Sequence, residues 1–347
     1  MPGRDGPVGI EQEGPLLSTT PPWSRRARRQ VAAAVLVVLV ATTGCGAARF
    51  GSGSTALAET RGVGVFRKGG TTPATVAEWE RFIGRRVTHV SSYFSEESFP
   101  AMIEHAAWKA RQFQGSGKTL VAGVPLAGRG LGSLASGAAG AHDAQWRQLA
   151  STLVANGQPN AILRLGWEFN GDWFAWSARS NPGTFASYFR RIVTTMRSVP
   201  GAGGLRFDWN PGIGPAFVPE AAYPGDAYVD VIGLDIYDRS YGARVANSEA
   251  RWADFMDRPY GLRWHRDFAR AHGKPMSFPE WGVTSADKHV AGATADNTSF
   301  VNHLADWMAV NDVAYQSYFD VDKPGDGSHA LMTGRFPASA DAYRTRF

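Results

Sequence analysis

The sequence predicts an α/β protein, a (β/α)8 or TIM barrel, on three observations. From Arg61 onward, short apolar runs alternate with helical stretches, and the alternation repeats eight times. The runs are apolar throughout rather than every second residue, as strands buried on both faces of a parallel sheet must be. No run opens into the Gly-rich phosphate turn of a doubly wound sheet, the nearest alternative, and the glycines between Gly128 and Gly140 lack that spacing.

The elements follow in order. Residues 63–66 form a first strand and residues 75–83 a helix, with Pro73 just ahead of it, where a missing N–H costs little. Residues 87–94 are the second strand and 101–113 its helix. The third strand, 119–125, leads into a Gly-rich loop over 128–140, then a helix over 144–156 stopped by Gly157. The fourth strand is 161–167 and its helix 182–198. The fifth strand, 205–210, is followed by a looser segment reaching Tyr228. The sixth is 229–237. A long helical region over 249–272 is expected to break at Pro259 and stop at Gly273. Residues 275–281 are the seventh strand, 298–310 a helix and 313–319 the eighth strand. The domain therefore occupies residues 61–347.

Composition is that of a globular protein, 44% hydrophobic and 19% charged. Six of the 36 basic and four of the 31 acidic residues fall in residues 1–60, leaving 30 and 27 for the domain. That near balance gives no grounds for a nucleic-acid partner. Twelve Trp, 19 Phe and 10 Tyr suit a protein that stacks on flat apolar ligand faces. Neither a cofactor nor a metal is expected: the His residues form no HxH or HExxH pattern. Asp320, Asp322 and Asp326 only faintly suggest a calcium loop, and a polar turn is the plainer reading. The protein is expected to be a monomer.

Residues 1–45 read as a disordered basic n-region and signal peptide. Arg25, Arg26, Arg28 and Arg29 precede an apolar run over 31–43, too short for an ordinary membrane span. The single cysteine, Cys45, follows in a lipoprotein-like box, Thr42-Thr43-Gly44-Cys45. Residues 46–60 read as a flexible linker. The expected location is outside the cell, secreted or held at the surface by a lipid on Cys45, the only membrane contact foreseen.

In such a barrel the active site lies where the strands end. Strand 4 ends at Trp167 and Glu168, with Asn170 two residues on and Trp173 and Trp176 close behind. Strand 5 ends at Asn210, strand 6 offers Asp235 and Tyr237, and strand 7 offers Glu280 and Trp281. Strands 4 and 7 lie on facing sides of the ring, so two carboxyl groups can meet across its mouth between aromatic walls. Two opposed carboxyls are what glycoside hydrolysis requires. Arg164, inside strand 4, is a buried cation that needs an anionic partner. It could keep Glu280 ionised, while the aromatics around Glu168 would favour a proton there. Asn170 or Asn210 could hold a sugar hydroxyl. For Asp235 the plainer alternative is an ion pair with Arg164, and for Trp173, Trp176 and Trp281 it is rim or core packing.

The segments RLGWEFNGDWFAW, GLDIYD and SFPEWG, in this order, resemble the retaining glycosidases with glutamates on strands 4 and 7, most closely glycoside hydrolase family 26. That resemblance covers nearly all of residues 61–347 and implies a retaining endo-glycosidase, of the endo-β-1,4-mannanase type, acting on a β-linked polysaccharide. It implies Glu168 as acid/base, Glu280 as nucleophile, Tyr237 as a hydrogen bond to the nucleophile, Asp235 as support in the same subsite and Trp173 as a sugar platform. Two positions depart from the family's mannanases. Trp167 stands where they usually carry His, and Tyr318 and Phe319 stand where they usually offer Trp. Two other readings fit the same residues: a surface protein that binds polysaccharide without turnover, and an enzyme that trims the host's own exopolysaccharide.

Overall fold

In the computed structural model, which describes residues 62–67, 70–214, 217–239, 248–285, 296–323 and 327–347, eight parallel strands close into a ring. The leader, Cys45, the linker over 46–60 and Asp326 lie outside the described residues. The strands are β1 (Gly62–Arg67), β2 (His89–Tyr93), β3 (Thr119–Val124), β4 (Ile162–Leu165), β5 (Arg206–Trp209), β6 (Val231–Gly233), β7 (Met276–Gly282) and β8 (Val313–Asp320). Each pairs with the next, and β8 returns to β1 in register from Gly62–Tyr315 to Arg67–Asp320. That closure excludes an open doubly wound sheet; the fold is the expected (β/α)8 barrel.

Helices cover the outside: α1 (Pro73–Ile83), α2 (Phe99–Phe113), the short α3 (Leu134–Ala138), α4 (Asp143–Ala155), α5 (Pro182–Arg197), α6 (Ser248–Asp257), α7 (Leu262–Ala271), α8 (Thr298–Val310) and α9 (Pro337–Arg346). Their starts are legible in the sequence. Thr72 and Thr75 form a reciprocal capping box ahead of α1, with Pro73 in the first turn. Ser98 caps α2, which therefore begins two residues earlier than expected. Among the described residues no helix is long and apolar enough to cross a membrane.

Three expectations need adjustment. The Gly-rich stretch 128–140 is not all loop, because Ser133 and Ser136 cap each other and start α3. The break in the helical region 249–272 is wider than one residue: α6 ends at Asp257, α7 starts at Leu262, and Tyr260 between them has φ 59°. The sixth strand is interrupted after Gly233, and only Ile236–Tyr237 resumes pairing, with Trp281–Gly282. At the gap the Asp235 backbone turns to the loop after β5, donating to Pro211 O at 3.1 Å and accepting from Ile213 N at 2.9 Å.

The core has two parts. Most apolar side chains fill the layer between strands and helices, including Trp79, Trp146, Trp209 and Tyr343. Inside the ring Val121, Ile162, Val231 and Tyr315 form a small separate cluster. Beside this cluster the interior becomes polar, beginning with Asp208, which accepts from Ser277 Oγ at 2.6 Å and from Tyr315 OH at 2.5 Å.

A bulge in β7 decides which residues reach that interior. Phe278 pairs with Gln316 but Trp281 with Tyr318, so β7 uses three steps where β8 uses two. Pro279, with no N–H to leave unpaired, sits within it. The extra residue reverses the alternation of faces. Glu280 turns into the barrel, whereas Trp281 turns out into the helix layer. There the Trp281 indole is fully buried against Phe300, Tyr318 and Tyr343, and its Nε1 donates to Gln316 Oε1 at 2.6 Å. Trp281 is therefore not the sugar wall expected of it, and Tyr318 beside it is core as well. Replacing Trp281 by Ala should cost about 3–5 kcal/mol of unfolding free energy in urea. A loss well under about 1 kcal/mol would contradict this placement.

Candidate active site

The site is built around a cation inside β4. Strand alternation points Ile162 inward, and two residues on it points Arg164 inward as well. The Arg164 side chain is 1% exposed, and every edge of its guanidinium is occupied. Nε donates to Asn210 Oδ1 at 2.6 Å and Nη1 to Tyr93 OH at 3.3 Å. Nη2 donates both to Asp235 Oδ2 and to Glu280 Oε1, each at 2.6 Å. Four strands thus meet at one side chain.

One guanidinium faces two buried carboxyls, so only one of their charges is balanced. Burial works against the Glu280 carboxylate, but Arg164, with hydrogen bonds from Tyr93 and Tyr237, outweighs it and holds the pKa below the ordinary glutamate range. The Tyr237 hydroxyl donates to Glu280 Oε2 at 2.9 Å. At Asp235 burial wins over Arg164, and the charges of Glu280 and Glu168 add to it, pushing that carboxyl well above the ordinary aspartate range.

Glu168 is seated differently. It lies three residues past β4 with φ 51°, a left-handed backbone that a residue with a side chain adopts at a cost of roughly 1–2 kcal/mol. Neighbouring loops hold it there. Its N–H donates to Asn210 O at 2.8 Å, and its carbonyl accepts from Gly171 N at 2.9 Å. Asn170 clamps Gly212 in the loop after β5, donating to Gly212 O at 2.7 Å and accepting from Gly212 N at 2.8 Å. A Cβ on Gly212 would fall 3.2 Å from Glu168 Oε1, a tight contact that would press on the carboxyl. Trp173, more than half exposed at the rim, donates Nε1 to Glu168 Oε2 at 3.0 Å. Burial first, then the charge of Glu280, push the Glu168 pKa up to about 7 against the opposing effects of Trp173 and Arg164. The two glutamates therefore differ in protonation near neutral pH.

The aromatic surroundings divide between wall and support. Trp167 is nearly buried, packed against Tyr93, Phe174 and Trp176 with ring centroids at 5.2, 4.9 and 4.5 Å. Trp176 is fully buried, and its Nε1 fixes Trp167 O at 2.9 Å. A Cβ on Gly123 of β3 would lie 2.6 Å from the Tyr93 ring and 3.1 Å from that of Trp167, so the glycine makes room for both.

The structure brings Arg164, Glu168, Tyr237 and Glu280 together, with Trp173 at the rim. Asn170, Asn210 and Asp235 are in the same cluster but do not face a ligand as expected. Asn170 spends its whole amide on Gly212. Asn210 accepts from Arg164 and donates to Pro211 O and Asp235 Oδ1. Asp235 is 1% exposed and bonded to Arg164 and Asn210, the plainer of its two readings. Tyr93 was missed, although it shares the inward register of Ser91 on β2. Asp320 pairs with Arg67 and accepts from the Leu331 backbone, which gives it a structural role. Among the described residues no group of three His, Cys, Asp or Glu could hold a metal ion.

Residues 144–253, which carry Arg164, Glu168, Asn210, Asp235 and Tyr237, match one protein-family model. That model describes glycosyl hydrolase family 26. A curated relative, the mannan endo-1,4-beta-mannosidase of Bifidobacterium adolescentis, is 30% identical over 155 residues. That stretch is 43% of this chain but only 15% of the relative, so the chain spans a small part of its length. Among solved structures, a modular family 26 endo-beta-1,4-mannanase from Cellulomonas fimi aligns with a TM-score of 0.55 at 23% identity, covering 81% of this chain and 70% of that one. GH26C from Muricauda sp. MAR_2010_75 aligns with a TM-score of 0.59 at 18% identity, covering 84% and 86%. At those identities the structural likeness is one of fold, and it agrees with the family 26 match over the site's own strands.

Arg164→Met would leave the Glu280 charge buried without its cation. It should lower the unfolding free energy by about 3–5 kcal/mol at neutral pH. The deficit should shrink as pH falls, because protonation removes the uncompensated charge. Urea unfolding at several pH values would measure both, and a deficit that does not change with pH would contradict the charge argument.

Proposed function

We propose that this chain is a glycoside hydrolase that cleaves a β-linked polysaccharide, β-mannan or a related β-glycan, at internal bonds and with retention. The carrying observation is the pair of glutamates in opposed environments: Glu280 bonded to Arg164 and Tyr237, and the Glu168 carboxyl bonded, among the described residues, to the exposed Trp173. Environments that push two carboxyls apart in pKa separate an acid from a nucleophile. The family 26 match over residues 144–253 supports the same reading.

In the first step Glu168 gives its proton to the glycosidic oxygen while Glu280 attacks the anomeric carbon. The leaving chain departs as an alcohol, and the sugar is joined to Glu280 as an ester. In the second step the Glu168 carboxylate takes a proton from water, which attacks the same carbon and frees Glu280. Arg164 and Tyr237 hold the Glu280 oxygens in place before attack and receive the charge back on release. Trp173, flat and exposed, stacks on a sugar ring beside the cleaved bond.

The free enzyme needs Glu280 ionised and Glu168 protonated. The kcat/KM profile should therefore rise with pH through a limb below the ordinary glutamate value and fall through a limb at about 7. Trp173→Phe removes a hydrogen bond that favours the Glu168 carboxylate, so the falling limb should move to higher pH. Glu168→Ala should lose about 10²–10⁴-fold on polysaccharide, with azide restoring part of the rate on an activated aryl glycoside. Glu280→Ala should lose at least as much. Full activity in Glu280→Ala would sink the proposal, and a first-formed α-anomer by NMR would overturn retention.

Export with a lipid on Cys45 is part of the same proposal, supported by the Arg cluster and apolar run ahead of it. Cys45→Ala should move the protein from the detergent phase to the medium. A wild-type chain already in the medium and starting beyond residue 45 would count against anchoring.

A further inference from the structure

The hydrolase reading leaves one cation at the site without a role. Arg239 follows Tyr237 by two residues, just past Ile236–Tyr237 at the barrel mouth. Its guanidinium carbon lies 5.4 Å from the centroid of the Tyr237 ring, and the hydroxyl of that ring is bonded to Glu280. Its charge also reaches Glu168, where it favours the carboxylate form. Arg239 thus stands beside the space between the two glutamates.

Among the described residues no carboxylate pairs with it. Asp238, its neighbour in sequence, is taken by Arg251, through Nε at 3.0 Å and Nη2 at 3.3 Å, and by Asn297 Nδ2 at 2.8 Å. Glu280 is held by Arg164 and Tyr237, and Glu168 carries no charge in the protonated form the first step needs. The other arginines whose pairing bears on the mouth are matched: Arg164 with Asp235 and Glu280, Arg67 with Asp320, Arg179 with Asp172. Moreover, Arg239 Nε is buried and has no hydrogen-bond partner among the described residues. A buried donor without an acceptor is costly, and native structures rarely keep one without a reason. A sugar hydroxyl would satisfy the N–H but would leave the charge unmatched. A carboxylate satisfies both, since the guanidinium fork matches its two oxygens.

We propose that Arg239 binds a carboxylate carried by the sugar at or next to the cleaved bond, so that the substrate is an acidic β-glycan rather than a neutral one. The inference rests on the hydrolase reading of the same site and names its substrate class. The acid group could belong to the backbone, as a uronic acid, or to a substituent on a neutral sugar.

Matched polymers test this. β-1,4-Mannuronan and its carboxyl-reduced form, which is β-1,4-mannan, differ only in the carboxyl group; β-1,4-glucuronan and its reduced form make a second pair. Partly succinylated β-mannan supplies the substituent source. Each is given to the wild type and to Arg239→Gln and Arg239→Lys, with folding checked by circular dichroism. Binding is read in parallel by affinity electrophoresis at low and high salt.

The expected result is a kcat/KM roughly tenfold or more higher on an acidic polymer than on its neutral partner. Arg239→Gln should abolish that preference by lowering kcat/KM on the acidic polymer more than on its neutral partner, and Arg239→Lys should keep part of it. Preference for a uronan assigns the acid to the backbone, and preference for succinylated mannan alone assigns it to a substituent. Neutral polymers cleaved as well as acidic ones, with a ratio indifferent to Arg239→Gln, would overturn the inference and leave the hydrolase standing. If no polymer is cleaved, the hydrolase reading falls and binding decides the rest. Acid-selective retardation lost in Arg239→Gln sustains the carboxylate site, whereas no retardation, or retardation insensitive to the substitution, overturns it.

Discussion

One buried guanidinium organises the mouth of this barrel. Arg164 is the point at which β4, the end of β2, the end of β5, the gap after β6 and the bulge of β7 are tied together. A cation in that position is expensive to desolvate and is tolerable only because each of its three nitrogens donates to an acceptor. The requirement runs outward from it. Asn210 must turn its amide toward Arg164, so its backbone carbonyl is left to hold Glu168. Asp235 must reach inward, and β6 is interrupted there.

The same arithmetic separates the two glutamates. A single positive charge cannot balance Asp235, Glu280 and Glu168 together, and burial and hydrogen bonding decide which of them it holds ionised. Glu280 touches it and gains a phenol besides. Asp235 touches it but is enclosed. Glu168, across the mouth, feels it only weakly, and burial pushes its pKa up to about 7. A difference in protonation between the two glutamates follows from where one side chain sits, with no need for a second cation.

Much of this was legible in the sequence, and the illegible part has a common cause. The strand count, the helix starts and the mostly apolar character of the strands announce a barrel, and barrels place function at strand ends. Glu168, Glu280, Tyr237 and Arg164 could be found because each stands in a short local pattern at such an end. Whether a residue faces the ligand or the support behind it is another matter. Trp281 sits beside Glu280 in sequence yet on the opposite face, because the bulge that reverses β7 is a property of its pairing with β8. Asn170, Asn210 and Asp235 have the right chemistry for sugar hydroxyls, but partners distant in sequence consume their polar atoms. Tyr93 and Arg239 carried no motif at all, and only their positions in space give them meaning.

The left-handed backbone at Glu168 has a consequence for how this protein can change. Glycine at that position would relax the chain and remove a half-buried acid in a single step, two gains for the folded state. Selection for folding alone would therefore erode the glutamate, and the acid role proposed for it is the pressure that would hold it. Position 168 is a place where durability and reactivity pull the sequence in opposite directions, and the residue found there records which of the two prevailed.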